Sequence, residues 1–310
     1  MPLPVPRIHR TLDLAARRIT LHTDTGAGWT TIDDLPSFVV PAAVTEEYEI
    51  SRYELLGVPD GARVLPVCPV SFRDFMVYEK HAVDAARGMA RRFVPAGYRL
   101  GLLFETLTRR TFPPYRPHRL WNQQPLYYMS NASTMIPSGI PVSCPGYSAA
   151  LDFELELGVV LGAPLRDATP AEALAAIGAV VVVNDFSARD VQLAEMRSGF
   201  GPQKSKHFAT SMSVTAVAGS AVADRLDSLT ASVQINGHTV ARTGTHGMRH
   251  SLGAAIAHAS RSEQLFPGEL ISTGTLPGGS GMELGRWLAP GDVLRLEIDE
   301  IGVIEHLIRG

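Results

Sequence analysis

Leu151-Asp152-Phe153-Glu154-Leu155-Glu156-Leu157-Gly158-Val159-Val160 reads LDFELELGVV: it alternates acidic and apolar residues, then turns wholly apolar. The alternation has the period of a β-strand and sets three carboxylates on one face, about 7 Å apart. Two readings compete. A half-exposed antiparallel strand turns such a face to water. Alternatively the acids face a cation, because crowded carboxylates repel one another and take up protons unless positive charge neutralises them. The choice depends on whether other acids join them.

The chain has 310 residues, 45% hydrophobic and 19% charged, a globular rather than disordered composition. That length allows one large domain, or one with a small partner. A net charge of −3 gives no electrostatic case for nucleic acid or an anionic membrane as partner. Of the 28 basic residues only Lys80, Lys204 and Lys206 are lysines, and two of those share one short segment. Cys68 and Cys144 lie in no CxxC pattern, so a thiolate zinc site is unsupported and buried thiols are expected. The first residues lack the apolar core of a signal peptide, and no run of about 18 apolar residues occurs. A cytoplasmic protein without membrane spans is expected.

Outward from the opening stretch, the pattern is strand-dominated. Ala179-Val180-Val181-Val182-Val183 reads as a buried strand, and 233–240 as a hairpin around Asn236-Gly237. Further strands are expected at 18–22, 269–273 and 293–298. Thr169-Pro170 starts a helix with Thr at the N-cap and Pro at the first turn. Helices also suit 251–260 and 75–93. The proline-rich run 64–70 cannot be a central strand and marks a boundary. It divides a small N-terminal domain, 1–65, from a larger domain, 66–310, that carries the motifs below. Residues 111–145, rich in Pro, Tyr and Asn, should be irregular and either functional or covering a site.

Polar residues crowd the end of the valine run in Asn184-Asp185-Phe186-Ser187-Ala188-Arg189-Asp190-Val191-Gln192. A rigid strand aims such a cluster at a site. The same residues could cap a helix through Asp185 or Ser187, and the two readings are compatible. Asp74 and His81 are seven apart; on a helix, two turns would bring them to one face. They could be metal ligand and base, or a surface pair.

Taken in order, Asp74 with His81, the ELEL run, NDFSARDVQ, the 201–210 segment around Lys206, the TGT of 273–275 and Glu283 in GMELG resemble the fumarylacetoacetate hydrolase family. The resemblance covers roughly residues 66–310. It implies an α+β, mostly β fold: a mixed β-sandwich roll preceded by a small β-rich N-terminal domain. It implies a divalent metal, Mg²⁺ or Ca²⁺ with Mn²⁺ as a further candidate, on Asp74, Glu154, Glu156 and Asp185. All-oxygen ligation suits such hard cations. It further implies His81 as the base that activates water, oriented by Glu283, with Lys206, Arg189 and Gln192 stabilising oxyanion charge. Thr275 falls at a substrate-contacting position. Tyr127, Tyr128 and Asn131 are candidates to line the pocket, with ordinary packing as the alternative for the two tyrosines. A homodimer acting on a small keto or diketo acid is expected.

The sequence also departs from the family. His207 stands where a serine is usual, and 116–131 lacks the Tyr- and Arg-bearing motif of true fumarylacetoacetases. The implied reaction is hydrolysis of a C–C bond in a 1,3-diketone or acylpyruvate-like acid. A decarboxylase, isomerase or hydratase working through the same enolate is the alternative. A non-catalytic metal-containing binding protein is a third reading.

Overall fold

The computed structural model describes residues 5–36, 38 and 44–310; residues 1–4, 37 and 39–43 of the expected N-terminal unit lie outside the described residues. The described strands form a twelve-stranded sheet, a five-stranded sheet and a two-stranded pair. The fold is the α+β, mostly β roll that the motifs imply. At the middle of the large sheet, Glu154–Leu161 lies antiparallel to Ile177–Asp185 on one side and to Leu270–Ser280 on the other. The short strand Phe72–Phe75 runs parallel to Leu270–Ser280, and Tyr127–Ser130 pairs beyond it.

Around these central strands both faces of the large sheet are covered. Leu155, Leu157, Val159, Val180 and Val182 share an apolar cluster with Val233, Leu294, Leu296 and Ile304 of the smaller sheet. Val160, Val181 and Val183 point the other way, into a cluster with Ile8, Leu12, Ile50 and Tyr53. Hence every residue of Glu154–Leu161 is buried, acids included. The half-exposed reading of LDFELELGVV is overturned: its alternation separates two interiors, not core from water. The stretch is also broken at Phe153, because Leu151–Asp152 pairs separately with Ser187–Ala188.

The sheet runs across the boundary expected at residue 65. Arg7–Asp13 pairs with Thr215–Ala218, and Arg18–Asp24 and Trp29–Ile32 extend the same sheet outward. Residues 64–69 are buried; after the short strand Arg63–Val64 this proline-rich run joins no strand until Phe72, as its prolines require. The helix starting at Pro170 has the full capping box of Thr169 and Glu172, and Ser251 caps Leu252–Ala259. The hairpin turns at Asn236-Gly237 between Thr230–Ile235 and His238–Gly244. Residues 111–145 hold only short strands and single 3₁₀ turns.

Two expectations need correction. The helix expected over 75–93 begins at Glu79, while Phe72–Phe75 is a strand held on both edges. Asp74 and His81 therefore do not share a helical face. Nor does Asp185 or Ser187 cap the helix Arg189–Ser198: its N-cap is Ala188, and the Ser187 hydroxyl donates to the Asp185 carbonyl.

Candidate active site

Period-two alternation puts Asp74, Glu154, Glu156 and Asp185 at one end of a single sheet face. Their strands are neighbours, and all four side chains are buried. Gly274 makes this convergence fit. Its φ is +76°, and a Cβ there would stand 2.0 Å from the Phe75 carbonyl oxygen, so only glycine lets the Asp74 strand close on TGT. Ser272, opposite Asp74 in register, donates to Asp74 Oδ1 at 2.5 Å. Thr275 lies opposite Glu156 and approaches its Oε1 at 3.4 Å.

Two cations enter the acid cluster. Lys206 Nζ lies 2.6 Å from Asp185 Oδ2 and also bonds Glu154 Oε2. Arg189 is wholly committed: Nε donates to Asp152 Oδ2 at 2.8 Å, Nη2 to Glu154 Oε1 at 2.6 Å and Nη1 to Gln192 Oε1 at 2.8 Å. Asp152 thus anchors Arg189. By contrast Lys204 is exposed and lies over the Tyr147 ring. Tyr128 donates to Asp185 Oδ2 at 2.6 Å.

The imbalance of charge shows in the proton affinities. Burial, then the charge of Asp185, pushes the Asp74 carboxyl up, against the pull of Lys206 and the Ser272 hydrogen bond. Burial, then Asp74, Asp185 and Glu154, drives Glu156 well above the carboxylate range. Burial acts on Glu154 too, but Arg189 and Lys206 outweigh it and hold Glu154 below that range.

His81 sits in the first turn of Glu79–Phe93. Its Nδ1 lies 2.9 Å from Glu283 Oε2, with the ring turned off the line of a hydrogen bond, and its Nε2 lies 4.0 Å from Glu154 Oε1. Glu283 is fixed from its own turn: the Gly278 amide donates to Oε1 at 2.9 Å and the Ser280 hydroxyl to Oε2 at 2.8 Å. The pair can meet because Gly88 has no side chain; a Cβ there would stand 2.2 Å from the Met282 carbonyl oxygen. Burial would lower the imidazole's affinity for a proton, but the charge and proximity of Glu283 more than offset it and raise His81 above its ordinary value.

These groups floor a cavity of about 510 Å³. His81, Lys206, Arg189, Gln192, Thr275, Tyr127, Tyr128, Asp74, Glu154 and Glu156 all line it. Asp185 and Glu283 stand behind that lining, one on Lys206 and Tyr128, the other on His81. Asn131 does not join them: its side chain caps the turn Ala132–Thr134 by accepting from the Ser133 amide. Sequence reasoning missed Ser272 as a partner of Asp74 and Asp152 as the anchor of Arg189. A hydroxyl in ISTG carries no signal of its own, and the alternation that includes Asp152 does not show that this residue leaves the strand to pair with Ser187–Ala188.

Among the described residues, no three His, Cys, Asp or Glu side chains already converge as a metal cage. The donor chemistry nevertheless fits a hard divalent cation. The side chains are all-oxygen, they carry more negative charge than Lys206 and Arg189 offset, and Glu156 Oε2 is buried without a partner.

Residues 110–309 match the family described as fumarylacetoacetate (FAA) hydrolase C-terminal. The chain belongs to the fumarylacetoacetate hydrolase family. A Burkholderia multivorans protein with a provisional hydrolase name is 32% identical over 191 residues, covering 60% of this chain and 66% of that one. A mitochondrial oxaloacetate tautomerase of Homo sapiens is 31% identical over 185 residues, covering 59% of this chain and 58% of its own. The chain thus spans less than two thirds of the length of these curated relatives. A solved fumarylacetoacetate hydrolase from Exiguobacterium antarcticum has the same fold, with a TM-score of 0.66 at 18% identity, covering 98% of this chain and 99% of that one. Family members are enzymes, and they include isomerases and tautomerases beside hydrolases. Among the described residues no helix is long and apolar enough to cross a membrane.

Proposed function

We propose that this protein hydrolyses the C–C bond between the two carbonyls of an acylpyruvate-type 1,3-diketo acid. The observation that carries this reading is the His81–Glu283 pair, held at 2.9 Å on the wall of a cavity floored by crowded carboxylates. Overall, R–CO–CH₂–CO–COO⁻ and water give R–COOH and pyruvate. His81 takes the proton from the attacking water, and Glu283 stabilises the imidazolium that results. The bond to the methylene carbon breaks, and its electron pair passes into the pyruvate enolate. Protonation of that carbon completes the exchange. Lys206 lies near enough to offset enolate charge, while Arg189 and Gln192 hold Glu154 and the floor in position.

Asp74, Glu154, Glu156 and Asp185 would hold Mg²⁺ or a similar cation. When bound, it would supply Lewis-acid polarisation of the diketone oxygens. The test is loss of enol absorbance across a panel of acylpyruvates, with Mg²⁺ and with EDTA, and analysis of products. Metal-dependent loss with both fragments recovered is expected. Enol loss with the carbon skeleton intact would sink hydrolysis and favour the second reading, keto–enol tautomerisation. That reading draws on the 31% identity to an oxaloacetate tautomerase. It needs a proton moved but no water added.

A further inference from the structure

We propose that the arm of the substrate beyond its keto-acid head is uncharged and apolar. The inference rests on the reading above only for the chemistry of that head.

The cavity has two unlike linings. Its floor carries the carboxylates and their cations. Its wall is built from one face of Glu79–Phe93, where Ala82, Ala85, Ala86 and Met89 recur at helical spacing, and from Leu193 and Met196 of Arg189–Ser198. Leu126 and Met282 close it further. The three alanines leave room, and the thioethers of Met89, Met196 and Met282 adapt to varied apolar shapes.

The permanent cations decide the matter. Among the described residues lining this cavity they are Arg189 and Lys206, and both are already bound to carboxylates on the floor. The remaining basic group, His81, faces Glu283. A second carboxylate on the arm would therefore give up part of its water against methyl groups and thioethers and gain no charged partner. A phenyl or alkyl arm gains from the same burial.

The test compares two acids with one head and different arms, 2-oxo-4-phenylbutanoate and 2-oxoglutarate, by calorimetry on the whole protein with Mg²⁺. The phenyl acid should bind at least about tenfold more tightly. Met89→Arg, placing a cation at the arm end, should narrow or reverse that preference; Ala86→Arg repeats the test on the same wall should the first variant fail to fold. Equal affinity, tighter binding of 2-oxoglutarate, or no binding of the phenyl acid overturns the inference. Product analysis with a phenyl-armed acylpyruvate is read separately. If it yields no fragments while the phenyl preference holds, the hydrolytic reading falls and the arm assignment stands.

Discussion

One face of the large sheet has two halves. At one end Phe72, Val160, Val181 and Val183 belong to an apolar cluster. A step or two along the same strands stand Asp74, Glu156 and Asp185, with Glu154 beside them. Burial does not separate the halves: Val183 and Asp185 are both fully buried. On the edge facing Ile177–Asp185 the ladder does not either, since Glu156 pairs with Val183 and Gly158 with Val181 in one register; only the other edge, toward Leu270–Ser280, is irregular between Glu154 and Gly158. What differs is the supply of partners. The valines need only contact, and burial favours them. The acids lose solvation and recover part of it from Lys206, Arg189, Tyr128 and Ser272. The apolar half holds the sheet rigid so that the acidic half can stay crowded.

The largest expected effect breaks the acidic half without touching the apolar one. His81→Ala should cut turnover by about 10³-fold, within the range for loss of a general base. Its urea midpoint should move little. Unchanged turnover in a folded variant would remove His81 from the mechanism. Where His81 acts as base, kcat/KM should fall as pH drops through its pKa, which lies above the ordinary histidine value.

Next is a probe beneath the acidic half. His306 packs edge-on against Phe186, next to Asp185, and its Nδ1 lies 2.6 Å from the Ile140 carbonyl oxygen. Burial pushes it down to about 4 from an ordinary 6.5. The unfolded chain therefore takes up a proton that the fold refuses. Stability should be full above pH 6.5 and fall by up to about 3 kcal/mol as pH drops to 4. Urea midpoints against pH should lose that part of their slope in His306→Asn; an identical slope would place the titration elsewhere.

The contrast also explains what was legible beforehand. The ELEL alternation, the valine run, the Asn-Gly hairpin and the Thr169 cap were readable because each is a local pattern. So were the candidate acids, through the family motif. The alternation could not say what covers each face, because the covering residues, Ile8, Leu12 and Tyr53, are more than a hundred positions away. The short strand at Phe72–Phe75 was hidden for the same reason: its partners lie at 127–130 and 270–272. The apolar cavity wall was invisible because Ala85 and Met89 look like ordinary helix residues until a site faces them.

A smaller effect tests the apolar half. Val181→Ala removes methyl groups from a packed face, where Gly158 already leaves room for Val181 and Val183. The loss should be about 2 kcal/mol in urea unfolding, with KM unchanged. A KM that moves with stability would mean that the two halves are mechanically coupled rather than merely adjacent.

The smallest effect has the opposite sign. Glu156→Gln removes one ionisable group from the crowd while keeping the side chain's size. Glu156 is driven well above its ordinary value near 4.5 by burial and by Asp74, Asp185 and Glu154, and its Oε2 has no partner. A raised carboxyl favours the fold while protonated, so its contribution is full below pH 4.5 and is lost as pH rises through the folded value. In EDTA at neutral pH the variant should thus be about 1 kcal/mol more stable than the parent, with no gain below pH 4.5. Mg²⁺ should reverse the order, because the parent keeps a ligand that the variant lacks. A variant less stable than the parent in EDTA would mean that Glu156 has a partner in solution, and that the acidic half is better satisfied than its geometry indicates.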